Sequence, residues 1–278
     1  MTVELGRYGV WRNYQALSPQ LAVEMEALGY GAVWIGGSPP GDLALAESLL
    51  DATQRLAVAT GIVNMWSTPA EEVAASYHRI EAKHPGRFLL GVGIGHPEAT
   101  KEYRSPYATM VDYLDRLDAG GVPVAGRALA ALGPKALKLS ADRTAGAHPY
   151  LTTPEHTREA REAVGAGALL APEQKVVVDT DPARARTTAR PGVENPYLHL
   201  VNYRSSLQRL GWSEADLDDG GSDALIDALV AHGDAAAVAD RLTAHLDAGA
   251  DHVCLQVLPG DGDPVPALRA ISAALRLS

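Results

Sequence analysis

Residues 87–98 read RFLLGVGIGHPE, an apolar run with glycine at every second position that ends in histidine, proline and glutamate. The apolar run predicts a buried strand, yet glycine weakens a strand and often marks a place where a ligand or another backbone comes close. Packing against a neighbouring strand explains Gly91, and both packing and ligand contact fit Gly93. Gly95 ends the strand, so we expect it to face a ligand.

This strand is one of eight short apolar segments that alternate with helical patterns along the 278 residues. The predicted strands cover residues 6–11, 31–37, 56–66, 87–95, 127–133, 146–152, 175–180 and 251–258. Eight strands that are each followed by a helix, in a chain near the usual length of about 250 residues, predict a (β/α)8 TIM barrel. The alternative is a doubly wound open sheet, but the turn after the first strand has no glycine with which to grip a phosphate.

Local signals mark several helix starts and one irregular segment. Ser18 and Thr153 each precede a proline and predict N-caps, and Thr68 with Glu71 predicts a capping box. Residues 190–232 are less periodic and predict a helical insertion between the seventh and eighth strands. We expect residues 1–278 to form a single domain.

Composition narrows the classes of partner. The formal net charge is −10, which disfavours nucleic acid and anionic membrane surfaces. The sequence contains no run of about 18 apolar residues and its start lacks the pattern of a signal peptide, so we expect a cytoplasmic protein without a membrane segment. No metal-binding motif is present, and we expect no metal site. Exposed barrel helices are compatible with a homodimer, and the expected partner is a small-molecule substrate.

The fold places the chemistry at the C-terminal ends of the strands, where barrel active sites lie. There Gly95 and His96 end the fourth strand, and His96 either acts as a catalytic acid or only holds a loop. Gly133, Pro134 and Lys135 begin a helix after the fifth strand. The free amides of a helix start favour an anion, and Lys135 adds positive charge, although such a start is a common feature.

Seven stretches in this order resemble the bacterial luciferase-like family, and most of all its actinobacterial branch of coenzyme F420-dependent oxidoreductases. They are GRYGVW (6–11), LGYGAVWIGG (28–37), ATGIVNMW (59–66), PGRFLLGVGIGHPE (85–98), LAALGPK (129–135), AGAHPYLTTPEHT (145–157) and LDAGADHV (246–253). The resemblance implies a flavin or deazaflavin ring at the barrel mouth, facing the third and fourth strands.

The resemblance also implies roles for individual residues. Asn64 and Met65 would form a bulge in the third strand that supports the ring, often through a non-proline cis peptide, and Gly95 and His96 would lie beside the ring. Gly133, Pro134 and Lys135 would reach the cofactor phosphate. The far wall of the site would contain Tyr150 and Leu151.

The sequence departs from the sugar-phosphate dehydrogenases of this family at two places. Those enzymes have an acidic residue where this chain has His96, and a histidine and tryptophan where residues 36–43 read GGSPPGDL. A sugar-phosphate substrate is therefore disfavoured. The leading hypothesis is an F420-dependent oxidoreductase that transfers a hydride to or from a small organic substrate, with His96 as proton donor. The alternatives are an FMN-dependent monooxygenase and a flavin- or deazaflavin-binding protein without turnover.

Overall fold

A computed structural model describes residues 3–95 and 105–277 and contains a strongly curved parallel sheet surrounded by helices. Its strands are β1 Tyr8–Asn13, β2 Ala32–Gly36, β3 Ala57–Gly61, β4 Val63–Asn64, β5 Phe88–Gly93, β6 Arg127–Leu129, β7 Gly146–Ala147, β8 Leu169–Leu170, β9 Glu173–Val178, β10 Val230–Gly233 and β11 Val253–Val257. Its helices are α1 Pro19–Ala27, α2 Ala44–Ala52, α3 Ala70–Lys83, α4 Pro106–Ala119, α5 Pro134–Arg143, α6 Pro154–Val164, α7 Pro182–Glu194, α8 Val201–Arg209, α9 Glu214–Leu217, α10 Asp223–Leu229, α11 Ala235–Asp247 and α12 Val265–Leu275.

These strands occupy eight positions around a ring, which confirms the predicted TIM-barrel fold. β3 and β4 form one position interrupted at Ile62, and β8 and β9 form another interrupted at Ala171 and Pro172. β8 pairs with β7 while β9 pairs with β11, and β11 pairs with β1. The ladder continues through the second interruption, because the Ala171 amide donates to Ala147 and the Pro172 carbonyl accepts from Cys254.

The strand bounds differ from the prediction in the second half of the barrel. The sixth strand ends at Ala147, since Pro149 cannot donate a hydrogen bond to a ladder. The seventh begins at Leu169, before the predicted start, because Leu169 and Leu170 pair with β7. The predicted insertion over 190–232 is helical, but α7 continues to Glu194 and the segment ends in β10, an additional strand paired with β9.

Two of the three predicted helix caps are confirmed. The Ser18 side chain accepts a hydrogen bond from the Leu21 amide, and the Thr153 side chain accepts one from the His156 amide. The capping box predicted at Thr68 is wrong, because α3 begins one residue later and Pro69 is its N-cap. A proline side chain has no hydrogen-bonding group, so this helix start has no side-chain cap.

Small residues allow two large rings into the barrel interior. Trp11 and Trp34 lie there beside alanines such as Ala57, Ala59 and Ala128. A larger apolar cluster fills the space between the sheet and the helices. The interior is therefore packed beneath the C-terminal mouth, as expected of a barrel of this size.

The glycines on the fourth barrel strand are required by close contact with the neighbouring strands. A Cβ on Gly91 would lie 1.8 Å from the Thr60 carbonyl oxygen, so close strand contact requires glycine there and the packing interpretation is confirmed. A Cβ on Gly93 would lie 2.8 Å from the Ala130 Cβ, which also indicates packing.

Within the described part of the chain, no helix has the length and apolar character needed to cross a membrane.

Candidate functional site

A cavity of about 380 Å³ opens at the C-terminal mouth of the barrel, within the usual range of about 300–1,000 Å³ for small-molecule sites. None of the described residues that line it carries a charged side chain. They are Trp11, Asn13, Gly37, Ser38, Gly61, Ile62, Asn64, Ile94, Gly95, Met110, Ala130, Ala131, Leu132, Gly133, Ala136, His148, Tyr150, Tyr197, Asn202 and Tyr203.

One side of the cavity, which we call the glycine wall, consists of Gly61, Ile62, Asn64 and Gly95. The peptide bond between Gly61 and Ile62 is cis, and it lies before the Asn64–Met65 position that the resemblance implied. A Cβ on Gly61 would lie 2.9 Å from the indole nitrogen of Trp11, and one on Gly95 would lie 2.5 Å from Asn64 Nδ2. Gly95 also has a φ of +57°, which favours glycine. Close contacts with Trp11 and Asn64 therefore require glycine at both positions, and this wall presents backbone to the cavity there.

The Asn64 side chain shapes the chain that follows the third barrel strand. Its Oδ1 accepts a hydrogen bond of 2.9 Å from the Trp66 amide. The Met65 amide donates to the Gly93 carbonyl. The Met65 side chain is buried in the apolar layer beneath the helices. Asn64 thus faces the cavity while Met65 belongs to the core.

The opposite side, which we call the tyrosine wall, consists of Tyr150, Tyr197 and Tyr203. Tyr150 follows β7, whereas the insertion supplies the other two. The Tyr197 hydroxyl donates to the Tyr150 hydroxyl over 3.2 Å, and their ring centres are 5.2 Å apart. Burial raises the pKa of Tyr150 and of Tyr203 well above the usual value, so both are neutral phenols.

An ion pair lies directly behind the tyrosine wall. Lys175 Nζ donates to the Tyr150 hydroxyl at 2.6 Å, to Gln256 Oε1 at 3.1 Å and to Glu173 Oε1 at 3.3 Å. Glu173 Oε2 accepts from the Leu151 amide. Burial lowers the pKa of Lys175 and raises that of Glu173, and the opposite charge of each partner opposes this effect. Three acceptors around one nitrogen fit an ammonium group, which has three protons to donate.

Neutral imidazoles lie behind the glycine wall. The His148 ring stacks on Trp34 with centres 4.2 Å apart, and its Nδ1 donates to the Ala171 carbonyl. Trp34 also bonds a second histidine, because His252 Nε2 accepts from the indole nitrogen at 3.0 Å. Burial lowers the pKa of both histidines to about 4. His148 Nε2 is a buried acceptor with no hydrogen-bond partner among the described residues, and it lies beneath Gly61.

Positive charge is found at the rim and not in the cavity itself. Gly133 is the N-cap of α5 and Pro134 its first residue, and no side chain of the described residues caps this helix. Lys135 is exposed in the first turn. The guanidinium of Arg209 lies 3.7 Å from where a Cβ on Gly133 would be. Helix amides, a lysine and an arginine therefore meet at one edge of the cavity.

The structure brings four of the predicted site residues to the cavity: Asn64, Gly95, Gly133 and Tyr150. Pro134 and Lys135 are exposed and follow Gly133 directly, but they are not among the lining residues. Leu151 is buried against the insertion and does not line the cavity. His96 lies outside the described residues.

Several functional candidates were missed by sequence reasoning. They are His148, Glu173, Lys175, Tyr197, Asn202, Tyr203 and Arg209. Only the ion pair could have been predicted from the sequence. Glu173 and Lys175 are two residues apart on a strand, so their side chains point to the same side of the sheet. Tyr197, Asn202, Tyr203 and Arg209 lie in the insertion, where no periodic pattern predicts which side chains turn toward the mouth.

Comparison with known proteins agrees with this geometry. Residues 14–120 match the model of the family described as luciferase-like monooxygenase. An F420-dependent secondary alcohol dehydrogenase solved with an F420–acetone adduct has a TM-score of 0.76 at 16% identity, over 100% of this chain and 99% of that one. The coenzyme F420-dependent tetrahydromethanopterin reductase of Methanopyrus kandleri has a TM-score of 0.71 at 14% identity, over 98% and 99%.

An FMN-containing structure is also similar. The oxygenating constituent of 3,6-diketocamphane monooxygenase from Pseudomonas putida, solved with FMN, has a TM-score of 0.65 at 13% identity, over 96% of each chain. A search of curated proteins gave no match. The resemblance to the luciferase-like family is thus confirmed in sequence for residues 14–120, and this chain has the luciferase-like barrel fold throughout.

Proposed function

We propose that this chain is a deazaflavin-dependent oxidoreductase that transfers a hydride between coenzyme F420 and a small organic substrate. The observation that carries the proposal is the cavity at the barrel mouth, where Gly61 and Gly95 of the glycine wall present backbone without side chains. A flat ring needs such a surface, and a Cβ on Gly61 or Gly95 would push against Trp11 or Asn64, which line the same cavity.

The residues present fit this cofactor at both ends. Gly61, Ile62, Asn64 and Gly95 would hold the ring, while the start of α5 with Lys135 and Arg209 would hold the phosphate of its side chain. When bound, the deazaflavin supplies a two-electron hydride, because carbon replaces a reactive ring nitrogen of the flavins, and this favours hydride transfer over oxygen chemistry. The chain's own residues orient the ring and exclude water from the reacting atoms.

A proton must accompany the hydride when a carbonyl or unsaturated substrate is reduced. His96 follows Gly95 directly in the sequence, and on that basis we keep it as a proposed proton donor. This hypothesis predicts that His96→Ala loses turnover while its affinity for F420 is unchanged. Retained turnover in that variant would contradict it.

The choice between cofactors is tested by binding and needs no substrate. The purified protein would be titrated separately with F420, followed by its fluorescence, and with FMN, and its absorption spectrum as purified would be recorded. We expect F420 to bind more tightly than FMN. Tighter binding of FMN would instead support the monooxygenase alternative, and binding of F420 without turnover of any substrate would support a carrier protein.

A further inference from the structure

The tyrosine wall has a feature that cofactor binding does not require, namely a buried ion pair with a fixed orientation. Glu173 and Lys175 both point into the barrel, since residues two apart on a strand share a face. β9 runs toward the cavity, so Lys175 is one pleat nearer to it than Glu173. Lys175 alone of the pair contacts a cavity residue through its side chain, the Tyr150 hydroxyl.

We propose that Tyr197 and Tyr150, with Lys175 behind them, form a subsite that binds the oxygen of a neutral carbonyl substrate and supplies the proton it needs. The hydride in this scheme rests on the proposed function, whereas the subsite itself is a property of the chain. An ammonium group at the inner end of two hydroxyls directs its positive field toward the cavity. The Glu173 carboxylate, 3.3 Å from Lys175 Nζ on the side away from the cavity, weakens this field, but no described lining residue places a negative charge between the ammonium group and the cavity.

Lys175, Tyr150 and Tyr197 lie within hydrogen-bonding distance of one another in series, which allows a proton to pass between them. The Tyr197 hydroxyl is 3.2 Å from that of Tyr150, which is 2.6 Å from Lys175 Nζ. As a hydride adds to the carbonyl carbon, the electron pair of the C=O double bond moves to oxygen, and this oxygen takes the Tyr197 proton. For this transfer both hydroxyls must rotate, because in the structure Tyr197 donates to the Tyr150 oxygen and Tyr150 donates to Gln256 Oε1 at 2.8 Å. Tyr197 turns its proton to the substrate oxygen, Tyr150 turns its proton from Gln256 to Tyr197, and Tyr150 then takes a proton from Lys175. Water that enters after product release returns the proton by the same route.

A purely structural ion pair is the competing explanation. Such a pair would hold β9 against β7 and the insertion, but it would give the cavity no preference for a negatively charged oxygen. Glu173 fits either role, because its Oε2 accepts from the Leu151 amide and its Oε1 from Lys175. The two explanations therefore differ in what they predict for an anionic ligand in the cavity.

The test uses 4-nitrophenol, a small flat probe whose phenolate absorbs in the visible range, with the protein free of any redox cofactor. We expect the wild-type cavity to bind the phenolate in preference to the neutral phenol, so that the bound probe ionises at a lower pH than in water. Tyr197→Phe and Tyr150→Phe should each weaken phenolate binding by roughly tenfold or more, as expected for a hydrogen bond to a charged group.

Two further variants complete the design. Tyr8→Phe removes a tyrosine hydroxyl that bonds Thr243 on the far side of the sheet, and it should leave probe binding unchanged. Lys175→Met combined with Glu173→Gln removes both charges together, so no buried charge is left without a partner. This double variant, once circular dichroism shows that it is folded, should bind phenol and phenolate equally.

The outcomes separate the two proposals. Wild-type protein that fails to bind the phenolate, or Tyr197→Phe protein that binds it as tightly as wild type, overturns the subsite. If F420 does not bind but phenolate binding depends on the tyrosines, the proposed function is wrong and the subsite stands. In turnover assays with the loaded enzyme, the subsite predicts that Tyr197→Phe loses activity. Full activity in Tyr197→Phe together with loss of activity in His96→Ala would assign the proton to His96 and overturn the proton-donating role of the subsite.

Discussion

The two walls of the cavity are built in opposite ways. The glycine wall comes from neighbouring strands in the first half of the chain, and its shape depends on side chains that are absent at Gly61 and Gly95. The tyrosine wall joins the loop after β7 to the insertion, and it depends on hydroxyls that are backed by Lys175. One wall therefore offers a surface, whereas the other offers protons and charge.

The groups behind each wall extend this difference. Neutral imidazoles lie behind the glycine wall, where His148 and His252 are both bonded to backbone carbonyls through Nδ1. A charged pair lies behind the tyrosine wall. A flat neutral ring and a reacting oxygen would thus meet different electrostatic surroundings within one small cavity, which is a suitable arrangement for hydride transfer to a polar double bond.

The largest expected effect is on stability in acid, and it tests whether the glycine wall has neutral groups behind it. The pKa of His148 and of His252 is about 4 in the folded chain, against 6.5 for an ordinary histidine. Below pH 6.5 the unfolded chain takes up protons that the folded barrel excludes, so stability present above that pH is lost as the pH falls toward 4. Each histidine should lower the free energy of unfolding by roughly 1 kcal/mol per pH unit, measured by urea titration at several pH values.

A matched pair of variants isolates this effect. His148→Phe keeps a ring against Trp34 but cannot take up a proton. Its free energy of unfolding should therefore fall less steeply with decreasing pH than that of wild type, by roughly 1 kcal/mol per pH unit. His199→Gln, which replaces an exposed histidine of the insertion, serves as the control. A free energy of unfolding that stays level from pH 7 to pH 5 would show that these imidazoles are not excluded from protonation.

An intermediate effect is expected when the glycine wall is given a side chain. Gly95→Ala places a methyl group against Asn64 and the cavity, and we expect its affinity for F420 to fall by roughly tenfold, measured by fluorescence titration. Its stability should also fall by about 1–2 kcal/mol, because the residue has a positive φ.

Gly86→Ala separates these two consequences. Gly86 has a φ of +74°, and a Cβ there would meet nothing within 4 Å. This variant should lose similar stability but bind F420 as wild type does. Equal affinities in Gly95→Ala and Gly86→Ala would mean that the glycine wall does not contact the ring.

The sequence was most informative where function depends on local backbone. Gly95 and the helix start at Gly133 were both predicted at the cavity, because the alternation of strands and helices identifies the C-terminal ends of the strands. Asn64 was located through the family resemblance. Its neighbour Met65 was grouped with it, although successive residues on a strand face opposite sides and only one of them reaches the cavity.

The tyrosine wall could not be predicted in the same way, because it is a product of long-range packing. Tyr150 contacts Lys175 and Tyr197, which are 25 and 47 residues away along the chain. No local pattern shows that α8 and the turn before it fold back over the mouth. Arg209 was missed for the same reason, since it reaches the start of α5 only through the tertiary position of α8.

The smallest expected effect is on F420 affinity when the positive charges at the rim of the cavity are removed. Lys135→Ala and Arg209→Ala should each weaken F420 binding by about threefold, and less at high salt, because exposed charges are screened. A deazaflavin without the phosphate-containing side chain should bind wild type and both variants equally. Lys138→Ala is the control, since Lys138 lies on the same helix but is exposed and pairs with Asp142. If the shortened deazaflavin lost affinity in these variants too, the basic rim would act on the ring itself, and the division of the site into a neutral ring surface and a separate anion site would be wrong.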